Sequence, residues 1–207
     1  MEVEITGYAE AKRLAAQMDL ELGFRISEIE KKISKVEDAN YWIGLDQDVL
    51  QTPYLEFHEI LDRLDLKEGA LVVDVGAAYG RLGHVIGRSF SKLKFIGFEA
   101  VWERVEEGNR VLRKFNYPSV LLEYADIAEQ SFRLPIADVY FIYDFGSPDH
   151  IRKTLSDIGE ISKNLSVRVV GRGRLSRDLI ERENPWLSQV VTPQHFKNFS
   201  IYQTLRA

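Results

Sequence analysis

From residue 70 onward, short apolar runs alternate with stretches of helical periodicity, and this alternation constrains the fold more than any other feature. Residues 70–73 are continuously apolar, as in a strand buried on both faces of a parallel sheet. Further strands are predicted over 94–98, 120–124, 138–143 and 167–170, and helices over 101–115, 148–161 and 176–183. Two β-like runs, 186–191 and 199–205, follow with no helical pattern between them. The pattern predicts an α/β fold with a mostly parallel sheet and an antiparallel hairpin at its edge.

A helical segment precedes this core. Residues 8–38 carry an apolar stripe at spacings of three and four, formed by Leu22, Ile26, Ile29, Ile33 and Val36. Gly23 interrupts the pattern, which therefore fits one helix or two. A turn-rich stretch over 40–53 and a helix over 54–64 lead into the first strand. We divide the chain into an N-terminal helical appendage, residues 1–50, and an α/β domain, residues 51–207. The stripe predicts packing on its own domain, with a homodimer through these helices as the alternative.

Composition removes several classes of function. The 207 residues include no cysteine, which excludes disulfide frameworks, cysteine-ligated metals and thiol nucleophiles. A net charge of −5 argues against a broad nucleic-acid-binding surface. No apolar run approaches the length of a membrane span, and acidic residues 1–4 do not resemble the start of a secretory signal. We expect a cytoplasmic protein that does not enter a membrane.

Acidic residues follow three successive predicted strands. Small residues at 76, 77, 78 and 80 follow the first strand, where they allow a tight turn and close approach of a ligand to the backbone. Asp74 precedes this loop, Glu99 ends the second strand, and Asp126 follows the third. Ligands of open α/β sheets bind beyond the carboxyl ends of the strands, and an acid at the position of Glu99 can accept hydrogen bonds from a ribose. The alternative for Glu99 alone is an acid favoured by a helix N-terminus.

The run LVVDVGAAYG at 71–80, with Glu99 and Asp126 downstream, resembles the class I S-adenosylmethionine-dependent methyltransferases. The resemblance covers residues 54–207 and implies a Rossmann-like sheet of seven strands that includes the terminal hairpin. It implies S-adenosyl-L-methionine as the cofactor. Its methionine part would lie near Asp74, Gly76, Ala77, Ala78 and Gly80, its ribose on Glu99, and its adenine near Asp126 and Ile127. The family motif usually has glycine at the position of Ala78.

The order of features is similar to the Dot1-like branch of that family. QTPY at 51–54 precedes a helix, and YFIYDFG at 140–146 ends the fourth strand. This likeness implies a contact from the pre-helix loop to the cofactor, near Thr52 and Tyr54. Tyr143 and Asp144 stand where the branch usually has asparagine, so histone or lysine specificity is not implied.

The loop after the fourth strand is the predicted acceptor side, because methyl transfer mainly requires an oriented nucleophile. Asp144 is the candidate catalytic group; its alternative role is to cap the helix that begins at Pro148. Phe145 and Gly146 are candidate acceptor contacts. Residues 151–182 carry eight basic residues against four acidic ones, so Arg172 and Arg174 predict an acceptor-binding basic patch or, alternatively, a solvated face. The four histidines are scattered, and no metal site is expected.

The sequence therefore predicts an S-adenosylmethionine-dependent methyltransferase whose acceptor is a protein side chain, an RNA or a small molecule. The first alternative is a non-catalytic methyltransferase-like protein that binds a nucleotide or a partner. The second is an NAD-dependent oxidoreductase. It is weaker because the dinucleotide fingerprint spaces its glycines two and then three apart, whereas Gly76, Gly80 and Gly83 are four and three apart.

Overall fold

The computed structural model describes residues 7–33 and 51–205. In these described ranges, the helices that precede the sheet are α1 (Tyr8–Leu22), α2 (Ile26–Lys32) and α3 (Tyr54–Leu64). Strands and helices then alternate as β1 (Leu71–Val75), α4 (Arg81–Ser89), β2 (Lys94–Glu99), α5 (Trp102–Leu112), β3 (Val120–Tyr124), β4 (Val139–Tyr143), α6 (Pro148–Ser162), β5 (Arg168–Arg172), α7 (Arg174–Glu183), α8 (Pro185–Ser188), β6 (Gln194–His195) and β7 (Phe199–Gln203). No helix in the described ranges has the length and apolarity that crossing a bilayer requires.

The strands form a mixed sheet of seven within the described residues, in the order β3-β2-β1-β4-β5-β7-β6. The five strands from β3 to β5 are parallel, and β7 runs antiparallel between β5 and β6. The central strands are buried as the apolar runs predicted: Val72 and Val73 of β1 and Phe141 of β4 are fully covered. The predicted fold class, a mostly parallel seven-stranded sheet with a C-terminal antiparallel hairpin, is confirmed.

The first strand of the terminal hairpin was predicted in the wrong place. Residues 186–191 are not a strand, because Pro185 opens a short helix, α8, in which the amides of Leu187 and Ser188 donate to the carbonyl of Asn184. Proline is favoured at the first helical position, where its missing N–H and fixed φ cost nothing. The hairpin is instead made by Gln194 and His195 with β7.

The N-terminal helices pack on the α/β domain. Gly23 ends α1 in the left-handed conformation at a φ of 84°, and α2 starts three residues later, so the segment is two helices. Leu22 and Ile26 of the predicted stripe are buried in the same apolar core as the residues of α3 and β1, and Ile29 packs against it. Ile33 is also buried. Within the described residues the stripe thus serves intramolecular packing, and the homodimer stays a prediction. Val36, the predicted helix beyond residue 33 and most of the predicted turn-rich stretch lie outside the described residues.

Candidate active site

A cavity of about 300 Å³ lies at the carboxyl edge of the sheet. Residues at the ends of all five parallel strands line it: Asp74 of β1 and Gly76 after it, Glu99 of β2, Asp126 after β3, Tyr143 and Asp144 at β4, and Arg172 and Gly173 at β5. From β1 the chain continues to β2 on one side, and it returns to β4 on the other. This topological switch point is where open α/β sheets bind ligands.

The small-residue loop after β1 forms one wall. The amides of Gly76 and Ala77 both donate to the carbonyl of Phe98, at 2.9 Å, which fixes the turn against β2. Gly76 has a φ of 81°, and a Cβ there would lie 2.3 Å from that of Phe145 across the cavity. Only glycine fits both conditions. Ala78 also has a positive φ, 47°, a conformation uncommon for residues with a Cβ and consistent with glycine in the family motif.

Asp74 is buried in this wall. It is 4% exposed, and removal from water together with the neighbouring Glu99 carboxylate raises its pKa to about 8. Proximity of a second acid opposes ionisation of the first. Asp74 is therefore a site where a positively charged ligand group would be stabilised.

Glu99 reaches from β2 to the loop after β1. One carboxylate oxygen accepts from the amide of Ala78 at 2.9 Å, and the other accepts from the amide of Val101 at 3.0 Å. Burial raises its pKa, opposed by the guanidinium of Arg104 at 3.7 Å and by these backbone N–H groups. The carboxylate is thus held in a defined orientation on the cavity wall.

The third predicted acid also lies at the cavity. Asp126 accepts from the amide of Ala128 at 2.9 Å with one oxygen, as in an Asx turn, and it lines the cavity beside the buried side chain of Ile127. The structure thus brings together the acids that follow three successive strands, as the sequence predicted.

The pre-helix loop reaches the cavity only in part. Thr52 lines it, and its carbonyl accepts from Arg81 at 3.1 Å. Tyr54 does not line the cavity. Its hydroxyl donates to Asp19 of α1 at 2.6 Å, and burial beside that carboxylate raises its pKa well above 10. Tyr54 thus contacts the N-terminal helices.

Gly80 is likewise outside the cavity wall. It begins α4 in the left-handed conformation, with a φ of 78°, and its carbonyl accepts from the amide of His84. A Cβ there would lie 3.3 Å from Leu112 and Leu122. Its position therefore reflects helix initiation and close packing of the loop.

The arginines of the cavity wall are each paired with a carboxylate. Arg81 binds Asp19 of α1, with Nε at 3.1 Å. Arg104 binds Glu30 of α2 at 2.9 Å and 3.1 Å. Arg172 binds Glu56 of α3 at 2.6 Å and also donates to the hydroxyl of Tyr8. In each pair, the carboxylate compensates the positive charge of the guanidinium.

Asp144 lines the cavity and caps a helix, though not the one that the sequence suggested. Ser147 caps α6, accepting from the amide of His150. Asp144 instead accepts from the amides of Leu175 and Ser176, at 3.2 Å and 2.7 Å, at the start of α7. The hydroxyl of Ser176 adds a third donor at 2.7 Å. A capping carboxylate stabilises a helix N-terminus by satisfying its amides.

The other predicted acceptor residues divide into two groups. Phe145 and Arg172 line the cavity. Gly146 does not, because it packs against the ring of His150, and Arg174 is 91% exposed near Asp178. Arg172 and Arg174 therefore do not share one exposed surface, since Arg172 is largely buried in its ion pair with Glu56, and their role in acceptor binding stays a prediction.

Several cavity residues were not predicted from the sequence: Gln51, Phe57, Arg81, Arg104 and Tyr143. Gln51 and Tyr143 stood inside the quoted motifs, adjacent to predicted residues, but no spacing rule singled them out. Arg81 and Arg104 lie near the starts of helices that follow strands, which is the one signal that could have found them. Among the described residues, no group of three or more acids and histidines is arranged to hold a metal ion.

No family model matches this sequence, and no curated protein is detectably similar to it. Solved structures do resemble it. A SAM-dependent methyltransferase from Aquifex aeolicus has a TM-score of 0.55 at 15% identity, covering 89% of this chain and 100% of its own. An RNA methyltransferase from Salinibacter ruber, in complex with S-adenosyl-L-homocysteine, has a TM-score of 0.53 at 14% identity, covering 74% and 92%. A SAM-dependent O-methyltransferase from Thermotoga maritima has a TM-score of 0.55 at 15% identity, covering 76% and 67%.

These likenesses show that the chain has the class I methyltransferase fold. At identities of 10–15% these likenesses do not indicate which acceptor or which specific activity this chain has, since one fold hosts many functions. They give no support to the Dot1-like branch.

Proposed function

We propose that this protein is an S-adenosylmethionine-dependent methyltransferase. One observation carries the proposal: Asp74, Glu99 and Asp126, which follow three successive parallel strands, line a single cavity with the small-residue loop at 76–78. The class I fold supports the same function at a coarse level.

The chemistry of the cavity fits a cationic cofactor. S-adenosylmethionine supplies a methyl group on a positively charged sulfur. Asp74 and Glu99 are buried acids of like charge, and a cation between or beside them would relieve the cost of ionising both. The wall arginines are already paired with Asp19, Glu30 and Glu56. A buried carboxylate beside the 76–78 loop disfavours NAD, because it would repel the pyrophosphate there.

We assign the cofactor contacts by position. Asp74 and the 76–78 loop would hold the methionine part, and Glu99 the ribose hydroxyls. Asp126 would accept from the adenine, with Ile127 covering the ring. Thr52 also lines the cavity and would contact the cofactor from the loop before α3.

The protein's part in transfer is orientation and exclusion of water. The N-terminal helices contribute Asp19 and Glu30, whose carboxylates bind Arg81 and Arg104 of the cavity wall. The acceptor would enter on the side of β4, where Asp144 and Phe145 line the cavity. Because Asp144 accepts three hydrogen bonds from α7, we assign it a structural role. An acceptor that arrives protonated would therefore need a base other than Asp144.

Calorimetry with S-adenosylmethionine, S-adenosylhomocysteine and NAD tests the proposal. Binding of the first two and not the third is expected, whereas binding of NAD alone would favour the oxidoreductase. Incubating the protein with methyl-labelled cofactor in a cell lysate then tests transfer. Cofactor binding with no label in protein, RNA or small-molecule fractions would favour the non-catalytic alternative.

A further inference from the structure

Unsatisfied buried polar atoms concentrate at the cavity. In the described part of the chain, four buried side-chain atoms have no hydrogen-bond partner: both amide atoms of Gln51, the hydroxyl of Tyr143, and Nε2 of His84. Gln51, 5% exposed, and Tyr143 line the cavity, and His84 does not. A buried donor or acceptor without a partner costs free energy, so a pair of such residues on one cavity marks a place where a ligand would supply the partners.

Neither residue is one of the predicted cofactor acids, although the carboxylate of Asp74, on the neighbouring strand β1, is close enough to raise the pKa of Tyr143. Asp74, Glu99 and Asp126 follow β1, β2 and β3, which occupy one side of the switch point. Tyr143 ends β4 on the other side. Gln51 immediately precedes α3, whose Phe57 stacks on Tyr143 with ring centroids 5.9 Å apart and planes at 11°.

The surroundings of Tyr143 are aromatic, and the charged groups that act on its hydroxyl include Glu56, Asp74 and Arg172. Phe57 and Phe145 line the cavity beside it, and Phe141 meets its ring edge-on. The nearest cation, Arg172, lies 5.6 Å from the ring and is held by Glu56, which also accepts from Asn198. With the amino group of the cofactor on Asp74, a charged acceptor would find no further unpaired partner in this group, whereas a flat neutral one would find apolar faces and hydrogen-bonding atoms.

We propose that Gln51 and Tyr143 form the acceptor subsite, and that it takes a small, uncharged aromatic compound carrying a hydroxyl group. The hydroxyl both donates and accepts, as the Gln51 amide and the Tyr143 hydroxyl require. Methyl transfer to its oxygen would exchange the S–CH3 bond for an O–CH3 bond, and the hydroxyl proton would pass to the imidazole of His150, which lines the same cavity. The ring packs against Phe57 and Phe145. This proposal rests on the proposed function, which supplies the cofactor half of the cavity.

The test uses three probes that share a phenol ring and differ in charge: 4-hydroxybenzamide, 4-hydroxybenzoate and 4-hydroxybenzylamine. Each is titrated by calorimetry into the full chain saturated with S-adenosylhomocysteine. We expect the neutral amide to bind about tenfold more tightly than either charged probe, one unsatisfied charge being worth at least that factor. Equal or tighter binding of a charged probe, or binding of none, would overturn the proposal.

Two variants locate the subsite: Tyr143→Phe and Gln51→Leu. Each removes an unsatisfied polar group, so the melting temperature of the ligand-free protein should rise. Each should weaken 4-hydroxybenzamide binding roughly tenfold and leave S-adenosylhomocysteine affinity within about twofold. If the variants instead weaken S-adenosylhomocysteine and not the phenol, these residues bind the cofactor and the proposal is wrong.

Tyr140→Phe is the matched control on the same strand. The Tyr140 hydroxyl accepts from the amide of Ala137 at 2.9 Å and donates to the carbonyl of Pro135 at 2.7 Å. This variant should lower the melting temperature and leave both ligands unaffected. Failure of the wild-type protein to bind S-adenosylhomocysteine at all would count against the proposed function itself, and the melting temperatures would still report on the unsatisfied atoms.

Discussion

Glu30 of α2 and Arg104 of α5 form a nearly buried ion pair with a 2.9 Å contact, which joins the N-terminal helices to the wall of the cavity. The same guanidinium lies 3.7 Å from Glu99, the predicted ribose-binding acid. The hydroxyl of Tyr79 also donates to Glu30, at 2.7 Å. The appendage is thus connected through Arg104 to a residue of the candidate active site.

Glu30→Gln should weaken cofactor binding from a distance. With the charge of Glu30 gone, Arg104 should move toward Glu99 and compete with a ribose for its carboxylate. We expect S-adenosylhomocysteine affinity to fall several-fold and the free energy of unfolding to fall by about 3 kcal/mol, as when one partner of a buried pair is removed. Calorimetry and urea unfolding measure the two effects.

Glu28→Gln is the control for that change, because Glu28 pairs with Lys32 on the exposed face of the same helix. It should alter neither quantity, since exposed pairs contribute little. Unchanged cofactor affinity in Glu30→Gln would show that Glu99 is positioned independently of the appendage.

Asp74→Asn should remove the pH dependence of stability that this carboxyl group contributes. The folded-state pKa of Asp74, about 8, exceeds the ordinary value of 3.8, so the folded protein holds this proton more tightly than the unfolded chain. Its contribution is fully present below pH 4 and is lost progressively as the pH rises to about 8. Asparagine does not ionise, so the variant should unfold at a higher temperature than the wild type at pH 8 and with no such gain at pH 4.

The same group predicts the pH dependence of binding. Ionised Asp74 favours a cationic ligand, so affinity for S-adenosylhomocysteine, which carries an amino group, should rise between pH 6 and pH 8 in the wild type. The rise should be absent in Asp74→Asn. A parallel rise in both proteins would assign the titration to another group.

Glu99→Ala should lower S-adenosylhomocysteine affinity at least about tenfold, because hydrogen bonds to a charged group are worth roughly 1.5–3 kcal/mol. Calorimetry measures the loss. Glu106→Ala, on the exposed side of α5, is the control and should bind like the wild type. An affinity of Glu99→Ala within a factor of two of the wild type would show that the cofactor is placed wrongly.

Asp144→Ala should destabilise the fold by about 1–2 kcal/mol through loss of the α7 cap. Ser176→Ala should cost part of the same free energy, and the double variant should be less than additive, because the two side chains share a hydrogen bond at 2.7 Å. Urea unfolding of the three variants provides the cycle. Loss of methyl transfer in Asp144→Ala with an unchanged unfolding curve would instead restore the catalytic assignment.

Arg172→Glu and Arg174→Glu should behave differently, although the residues are neighbours in sequence. Arg172→Glu places a carboxylate beside Glu56 in a largely buried site and should strongly destabilise the protein. Arg174→Glu changes an exposed side chain and should leave thermal unfolding unaffected. Equal effects of the two changes in thermal unfolding would contradict the buried pairing of Arg172.

The acids of the cavity could be predicted because each lies at the carboxyl end of a predicted strand, and these ends meet at one edge of a parallel sheet. Asp74, Glu99 and Asp126 each follow a strand, and parallel strands end at one edge. Tyr54 and Gly80, the other predicted cofactor contacts, do not line the cavity, because the motif gives proximity in sequence and not the direction of a side chain. Tyr54 points to Asp19, and Gly80 begins α4.

By itself, the sequence determined the α/β fold, the parallel strands, the small-residue loop and its acids, because these follow from short-range periodicity and from turn chemistry. Only the tertiary structure decided what the appendage does and which helix Asp144 caps. The pairs Asp19–Arg81 and Glu30–Arg104 join residues far apart in the chain. Asp144, after β4, likewise accepts a hydrogen bond from Ser176 of α7. Such contacts depend on how whole elements pack, and charged residues at exposed helical spacing look the same in sequence as those that become buried partners.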